Sequence, residues 1–229
     1  MTTLVSFSGG LDSTVLLALA LQEYPGPTVA VGFDYGQRHR AELHAGRAVC
    51  DHLGVAHRTI NLQGLLHGSA LLHHSEVPHG HYAEDTMKDT VVQGRNLLFV
   101  SALVAAAAPG DTVAIGVHAG DHYVYPDCRP DFVDPLRQAL AHAYDVQLET
   151  PFVHTTKAGI AQLGAELEAP VDLSWSCYEG GTVHCGRCGT CVERAEAFHL
   201  AGVPDPTTYA DPDYWRAAVA AAQAKGLTR

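Results

Sequence analysis

The chain has 229 residues, with 14 Lys plus Arg against 25 Asp plus Glu and a formal net charge of -11 at pH 7. That balance opposes a long polyanion such as tRNA unless basic residues cluster, yet a small anion remains within reach of backbone amides and a few local cations. The N-terminal MTTLVSF lacks the basic region and long apolar segment of a secretory signal, and VSALVAAAAPG is too short to span a bilayer. The expectation is one main domain in the cytoplasm, with no membrane or nucleic-acid partner.

In chain order, TLVSFS, DSTVLLALALQE, TVAVGFDY, QRHRAELHAGRAVCDHLG and VAHRTINL alternate short β-branched runs with helical patterns. This βαβαβ order predicts an α/β fold, a parallel sheet with helices on both faces. The stretch from Gln63 to Met87 carries five histidines and little periodicity. It is expected as a long excursion near the active face, partly mobile without ligand. A helix over GRNLLFVSALVAAAA, a strand over DTVAIGVH, a polar loop to Arg129, a helix over DFVDPLRQALAHAY and a strand in VQLETPF follow.

The last third changes character: a helix over TKAGIAQLGAELE, a cysteine-rich hairpin, a helix over CVERAEAFHLAG, and an acidic tail containing YADPDYWRAAVAAAQA. Two regions are predicted, an α/β domain over 1–170 and a cysteine-rich hairpin with helices over 171–229 packed on it. Pro204 to Pro212 is the candidate hinge.

Gly9 and Gly10 follow an apolar strand and precede a helix, where close backbone approach and free N–H groups make an anion site. The loop has no Walker A lysine, and the G-x-G-x-x-G pattern is absent too. A purely structural turn is the plain alternative. Ser8, Asp12 and Ser13 favour ligand binding, because hydroxyls donate to phosphate and a carboxylate beside phosphate calls for a cation such as Mg²⁺.

Cys177, Cys185, Cys188 and Cys191 lie within fifteen residues, the last three spaced C-x2-C-x2-C. Four converging thiolates suit tetrahedral Zn²⁺, and an iron–sulfur cluster shares the spacing. Full thiolate coordination leaves no open position, so the metal is expected to be structural. His184 is an alternative ligand, Cys50 reads as core, and Cys128 among polar neighbours either lines a cavity or packs. Arg95 and Asn96 open an apolar helix, either as a cap with a surface arginine or facing a ligand. The loop HAGDHYVYPDCR lies at the carboxyl end of a strand, the usual ligand side of a parallel sheet.

SGGLDS (Ser8 to Ser13) resembles the pyrophosphatase loop of the PP-loop ATP enzymes. YGQRHRAEL, VQGRNLLF, GVHAGDHYVYPDCRPDF, KAGI and SWSCYEGGTVHCGRCGTCVERAEAF together resemble the 7-cyano-7-deazaguanine synthase family across most of Leu4 to Phe198. Gln93 departs from the proline usual before Gly-Arg-Asn, which bears on the rigidity of that loop.

The resemblance implies a Rossmann-like, adenine nucleotide alpha hydrolase-like sheet with a C-terminal zinc-binding helical region, one structural Zn²⁺ per chain, ATP with Mg²⁺, and a homodimer. It implies conversion of 7-carboxy-7-deazaguanine and ammonia to the nitrile through adenylated acid and amide. Ser8, Gly9, Gly10, Leu11, Asp12, Ser13, Arg95 and Asn96 would bind nucleotide, the loop holding the β and γ phosphates. Asp12, Ser13, Arg95 and Lys157 would carry catalysis, with Lys157 or arginines supplying the charge the loop lacks.

A deazaguanine offers a donor edge that suits a carboxylate, Asp121 or Asp127. Tyr123, Tyr125 or Trp175 would stack on its ring, and Arg129 or Lys157 would meet its carboxylate or the phosphates. Arg38 and His39 either reach the same cleft or pack at a subunit contact. The rivals are another PP-loop amidating or tRNA-thiolating enzyme, and a non-catalytic zinc-stabilised nucleotide-binding module.

Overall fold

Neighbouring residues on a strand point to opposite faces. Leu4 and Val5 are both buried, so the strand that holds them is packed on two sides. The computed structural model, which describes residues 1–37, 40–72 and 77–227, places that strand at the centre of one parallel sheet. The strands β1 (Thr3–Ser6), β2 (Thr28–Asp34), β3 (Ala56–Asn61), β4 (Thr112–Ala114) and β5 (Gln147–Glu149) run in the order β3-β2-β1-β4-β5. Val5 lies opposite Ala30 on one side and Ala114 on the other. β3 is an edge strand, and its polar AHRTIN is correspondingly exposed.

Helices cover both faces. Val5, Phe7, Leu16, Val49, Ile160 and Phe198 form one core, drawing in α1 (Leu11–Glu23), α2 (Ala41–Leu53), α5 (Lys157–Glu166) and α6 (Gly189–Ala201). Leu4, Val31, Leu103, Val113, Val133 and Leu148 form the other, under α3 (Arg95–Ala106) and α4 (Pro130–Tyr144). Apolar residues on both sides of the inner strands are what a two-sided parallel sheet requires.

Three expectations need correction. α2 begins at Ala41, not Gln37: the Gln37 side chain donates to Phe33 O and accepts from Tyr35 N–H, closing a turn instead of starting a helix. β4 pairs over only Thr112–Ala114; Ile115 keeps one bond to Glu149 O, after which the chain leaves the ladder. The stretch from Pro204 to Pro212 is tied down and is no free hinge. Tyr209 Oη donates to Asp205 Oδ2 at 2.7 Å, and Ala210 N–H to His184 O at 2.8 Å.

Beyond it, α7 (Tyr214–Ala224) packs on α6. The histidine-rich excursion also docks: Gly80 N–H donates to Arg187 O, His79 pairs with Cys188 as an isolated bridge, and a 3-10 turn runs over Asp85–Thr90. Among the described residues no helix is long and apolar enough to cross a membrane.

The C-terminal region is held by one fully buried cation. Arg194 donates from Nε to Thr207 Oγ1 (2.7 Å), from Nη1 to Ser174 Oγ (2.8 Å) and Ser176 Oγ (3.1 Å), and from Nη2 to Val171 O (2.8 Å). Removing the guanidinium leaves the buried Ser174 and three part-buried acceptors without their donor and frees the segment that leads into the cysteine hairpin. Arg194→Met is expected to lower unfolding free energy by about 3 kcal/mol, measured by urea denaturation at neutral pH.

Candidate active site

The strand order reverses between β1 and β4, and the chain opens a crevice at the carboxyl ends of those two strands, where ligands of such sheets bind. A cavity of about 240 Å³ lies there. Its floor is the segment after β1, with Ser8, Gly10, Leu11, Asp12 and Ser13 on the wall, and the segment after β4, with Gly116, Gly120 and Asp121.

Gly9 stands just behind the wall at φ 85°. A Cβ there would lie 2.5 Å from both Glu42 O and Gly46 N, so no side chain fits between the loop and α2. Its carbonyl accepts the Trp175 N–H at 2.8 Å. Hydroxyls hold the loop from inside: Ser13 Oγ donates to Gly10 O, Gly10 N–H donates to Ser8 Oγ, and the two hydroxyls lie 3.1 Å apart. The first turn of α1 thus presents its N-terminus to the cavity, a region of positive potential suited to phosphate.

Next to the loop is a charged cluster. Lys157 Nζ donates to Asp12 Oδ2 at 2.6 Å, with His118 Nε2 at 3.3 Å and Glu193 Oε2 at 3.5 Å. Asp121 Oδ2 lies 3.4 Å from His118 Nε2. Burial alone would lift the Asp12 carboxyl, but Lys157, then His118 and Arg194, outweigh it and hold it below the ordinary carboxylate range. Burial likewise opposes the Lys157 charge, and Asp12, Glu193 and Asp121 overcome it, so its pKa is raised. Both groups stay ionised at neutral pH. Asp12 Oδ1 is buried with no hydrogen-bond partner among the described residues.

The far half of the cavity is built from Arg95, Tyr35, Tyr125, Tyr178, Phe33 and Phe99. The Tyr35 hydroxyl bonds Arg95, Tyr125 Oη lies 2.8 Å from Thr90 Oγ1, and Phe33 stacks on Phe99 at 4.2 Å. Asn96, Cys128 and Trp175 are also on the wall. Burial, reinforced by Asp121 and Asp127, pushes the Cys128 thiol up, so it is a neutral group that receives Asn96 Nδ2–H and no nucleophile.

Two expected substrate residues stand elsewhere, and a third lies outside the described residues. Asp127 Oδ2 accepts the Asn96 backbone N–H at 3.2 Å, satisfying an open donor in the first turn of α3, and is off the cavity wall. Arg129 is exposed and donates to His122 O at 2.7 Å, away from the cavity. Arg38 lies outside the described residues, as do His39 and the side chain of Tyr123. His118, Glu193 and Glu42 are on or beside the cavity without having stood out in the sequence. The one signal for Glu193 was a buried Glu-Arg pair in the apolar helix CVERAEAF.

The four cysteines come together. Cys177, Cys185, Cys188 and Cys191 offer sulfurs within 4.8 Å of one another. Cys185 Sγ and Cys191 Sγ are 3.9 Å apart, too far for a disulfide at about 2.05 Å. That spacing matches the ~3.8 Å edge of a tetrahedron with metal–sulfur bonds of about 2.3 Å. Backbone N–H groups of Arg187 and Cys188 donate to Cys185 Sγ at 3.3 Å, and Cys185 N–H to Cys177 Sγ, an environment that favours thiolates. The group has the donor set and spacing of a four-thiolate metal site. His184 is not part of it: its Nε2 accepts Ser176 N–H, its ring packs on Trp175 at 4.3 Å, and burial lowers its pKa to about 4.

A family model described as "Queuosine biosynthesis protein QueC" matches residues 2–202. A 7-cyano-7-deazaguanine synthase from Ruegeria sp. (strain TM1040) is 53% identical over 98% of this chain and 100% of the relative. One from Paracoccus denitrificans (strain Pd 1222) is 53% identical over 96% of this chain and 98% of the relative. The structure is also similar to that of NMN synthetase from Francisella tularensis, at 18% identity and TM-score 0.49, covering 94% of this chain and 83% of that one. On the match over nearly its whole length, the chain belongs to the QueC family of queuosine biosynthesis proteins.

Proposed function

We propose that the protein is an ATP-dependent 7-cyano-7-deazaguanine synthase that turns 7-carboxy-7-deazaguanine and ammonia into the nitrile. The observation that carries this reading is one cavity joining a phosphate loop to an arginine and tyrosine pocket. A carboxylate oxygen is a poor leaving group, so conversion to nitrile takes two activations. In the first, the acid oxygen attacks the α phosphorus, pyrophosphate leaves, and ammonia displaces AMP to give the amide. In the second, the amide oxygen is adenylated, and loss of AMP leaves the nitrile.

The protein's share is placement and charge. Amides and hydroxyls of Ser8, Gly9, Gly10, Leu11 and Ser13 receive the β and γ phosphates, and Lys157, fixed by Asp12, supplies the cation that the loop lacks. The orphaned Asp12 Oδ1 is a hard oxygen donor that fits Mg²⁺, which when bound would neutralise phosphate charge. Arg95 and Asn96 face the acyl phosphate, and Tyr125 and Trp175 flank the ring. Asp121 is the acidic-loop carboxylate on the wall and reads the guanine-like edge; Asp127 is committed to α3. Zn²⁺ in the four-cysteine cluster is structural, and residues 171–229 brace the nucleotide domain through it. The protein works as a homodimer on small molecules in the cytoplasm, in keeping with its acidic charge.

Asp12→Asn, still folded by circular dichroism, should lower AMP release with the acid by about 100-fold; unchanged release would remove Asp12 from the chemistry. Elemental analysis should give one zinc per chain. Cys188→Ser should lose the metal and, because Trp175 then no longer steadies Gly9, bind ATP more weakly; full thermal stability without zinc would overturn the bracing role.

Replacing Asp121 with Ala should cost roughly 2 to 4 kcal/mol in binding of the acid with ATP binding kept. Asp127→Ala should leave acid discrimination intact. Titration with the acid and with an analogue lacking the exocyclic amino group separates the two, since the loss should shrink for the analogue.

A further inference from the structure

Two cavity carboxylates, Glu42 and Glu193, have no part in the steps above, and Glu193 is held against Lys157 at 3.5 Å. Glu42 stands in the first turn of α2, half-buried in the cavity wall. Its backbone is pressed against the phosphate loop, its carbonyl 2.5 Å from the point a Gly9 Cβ would occupy. Its charge is felt by Tyr35, and Arg95 of α3 acts on it in turn. Glu42 therefore lies at the seam between the phosphate loop and the arginine–tyrosine pocket. The reacting carbon has to lie at the same seam, because its oxygen must reach the α phosphorus while the ring occupies the aromatic half.

The second activation needs a base there. An amide is neutral and its oxygen a weak nucleophile, and both N–H protons must leave before a nitrile exists. Other groups on the wall are engaged or keep their protons. Lys157 and Asp12 are paired and ionised. His118 lies against Lys157 and Asp121, and Glu193 faces Lys157. Burial raises the hydroxyls of Tyr35, Tyr125 and Tyr178 and the thiol of Cys128, so these remain protonated.

We propose that Glu42 is the catalytic base of the nitrile-forming half-reaction, taking one N–H proton from the amide as the amide oxygen bonds to the α phosphorus of the second ATP. This rests on the reading of the site given above. As the O–P bond forms, the phosphoanhydride bond breaks, pyrophosphate leaves with its electron pair, and the N–H pair becomes the second bond of C=N. The C–O bond then breaks with its pair going to AMP, the second N–H proton passes to the departing phosphate oxygen while its bonding pair becomes the third bond of C≡N, and Glu42 returns its proton to water.

Burial lifts the Glu42 carboxyl to about 7 while Arg95 pulls the other way. Near neutral pH it is present in both forms, as a base that must be reused requires. Of the groups that face it, Arg95 stays cationic and Tyr35 neutral across that range. The active form is the carboxylate, so the nitrile-forming rate should rise with pH through about 7.

The test feeds wild type, Glu42→Gln and Glu42→Asp either the acid with ammonia and ATP or the amide with ATP, and separates amide from nitrile by chromatography across pH 5.5 to 8.5. The expected result for Glu42→Gln is an amide-to-nitrile ratio about 100-fold above wild type, with the acid limb of nitrile formation gone. Glu42→Asp should restore part of the nitrile rate and keep the limb. Because the ratio is taken within one sample, it does not depend on how much of a variant folds. A ratio equal to wild type, or a retained acid limb in Glu42→Gln, overturns the assignment. Wild type that releases no AMP with the acid overturns the reading of the site itself, and that result is seen before any variant is compared.

Discussion

Three separate parts of the chain meet at Gly9, and the space there admits no side chain. The end of β1, the start of α2 and the segment leading to the cysteines converge on this residue, through the approach of Glu42 O and Gly46 N and the bond from Trp175 N–H. A loop pinned from behind on two sides has its remaining amides and hydroxyls aimed forward into the cavity. Such preorganisation matters more for polyphosphate than any single contact does, because the donors need not be reordered when charge develops. Gly46 belongs to the same constraint, since a Cβ there would already lie 3.3 Å from the Phe7 ring and 3.6 Å from Gly9 Cα, which leaves no room for a longer side chain.

An acidic chain with an anion-binding type of loop has to arrange its few cations economically. Lys157 and Arg95 both face the cavity, while Arg194 stands behind it, fully buried and spent on structure. The carboxylates around Lys157 keep it charged despite burial, and the lysine in turn keeps Asp12 ionised. That mutual support explains how an acidic residue can sit in a phosphate loop. Paired with the lysine through one oxygen, Asp12 leaves the other free for a cation.

Much of this was legible in the sequence because it is local. Alternating β-branched and helical runs gave the parallel sheet, the glycine loop stood between a strand and a helix, and the cysteine spacing announced the four-sulfur cluster. What the sequence concealed is convergence over long separations. Glu193 and His118 reach Lys157 from α6 and from the segment after β4; the Glu-Arg pair in CVERAEAF hints at the first, and no sequence neighbour marks the second. The choice between Asp121 and Asp127 was equally closed to inspection, because both are acidic residues of one polar loop, and only the fold spends Asp127 on the first turn of α3. The proline-rich stretch misled for a related reason: composition suggests a hinge, but Asp205, Thr207 and Tyr209 find partners that composition does not reveal.

The histidine-rich excursion shows how the metal cluster reaches the chemistry without touching it. Leu71, Tyr82, Met87 and Thr90 form one wall of the cavity. Their segment is held to the cysteine hairpin by Gly80 with Arg187 and His79 with Cys188. Met87 also packs so closely on Gly189, at the start of α6, that a Cβ there would come within 2.7 Å of its sulfur. The same hairpin sends Trp175 to Gly9 on the opposite side. Whatever holds the four cysteines together therefore holds two walls of the cavity at once, through backbone bonds that carry no charge into it. A closed set of four sulfurs in this position acts on the cavity mechanically, by fixing the segments that line it.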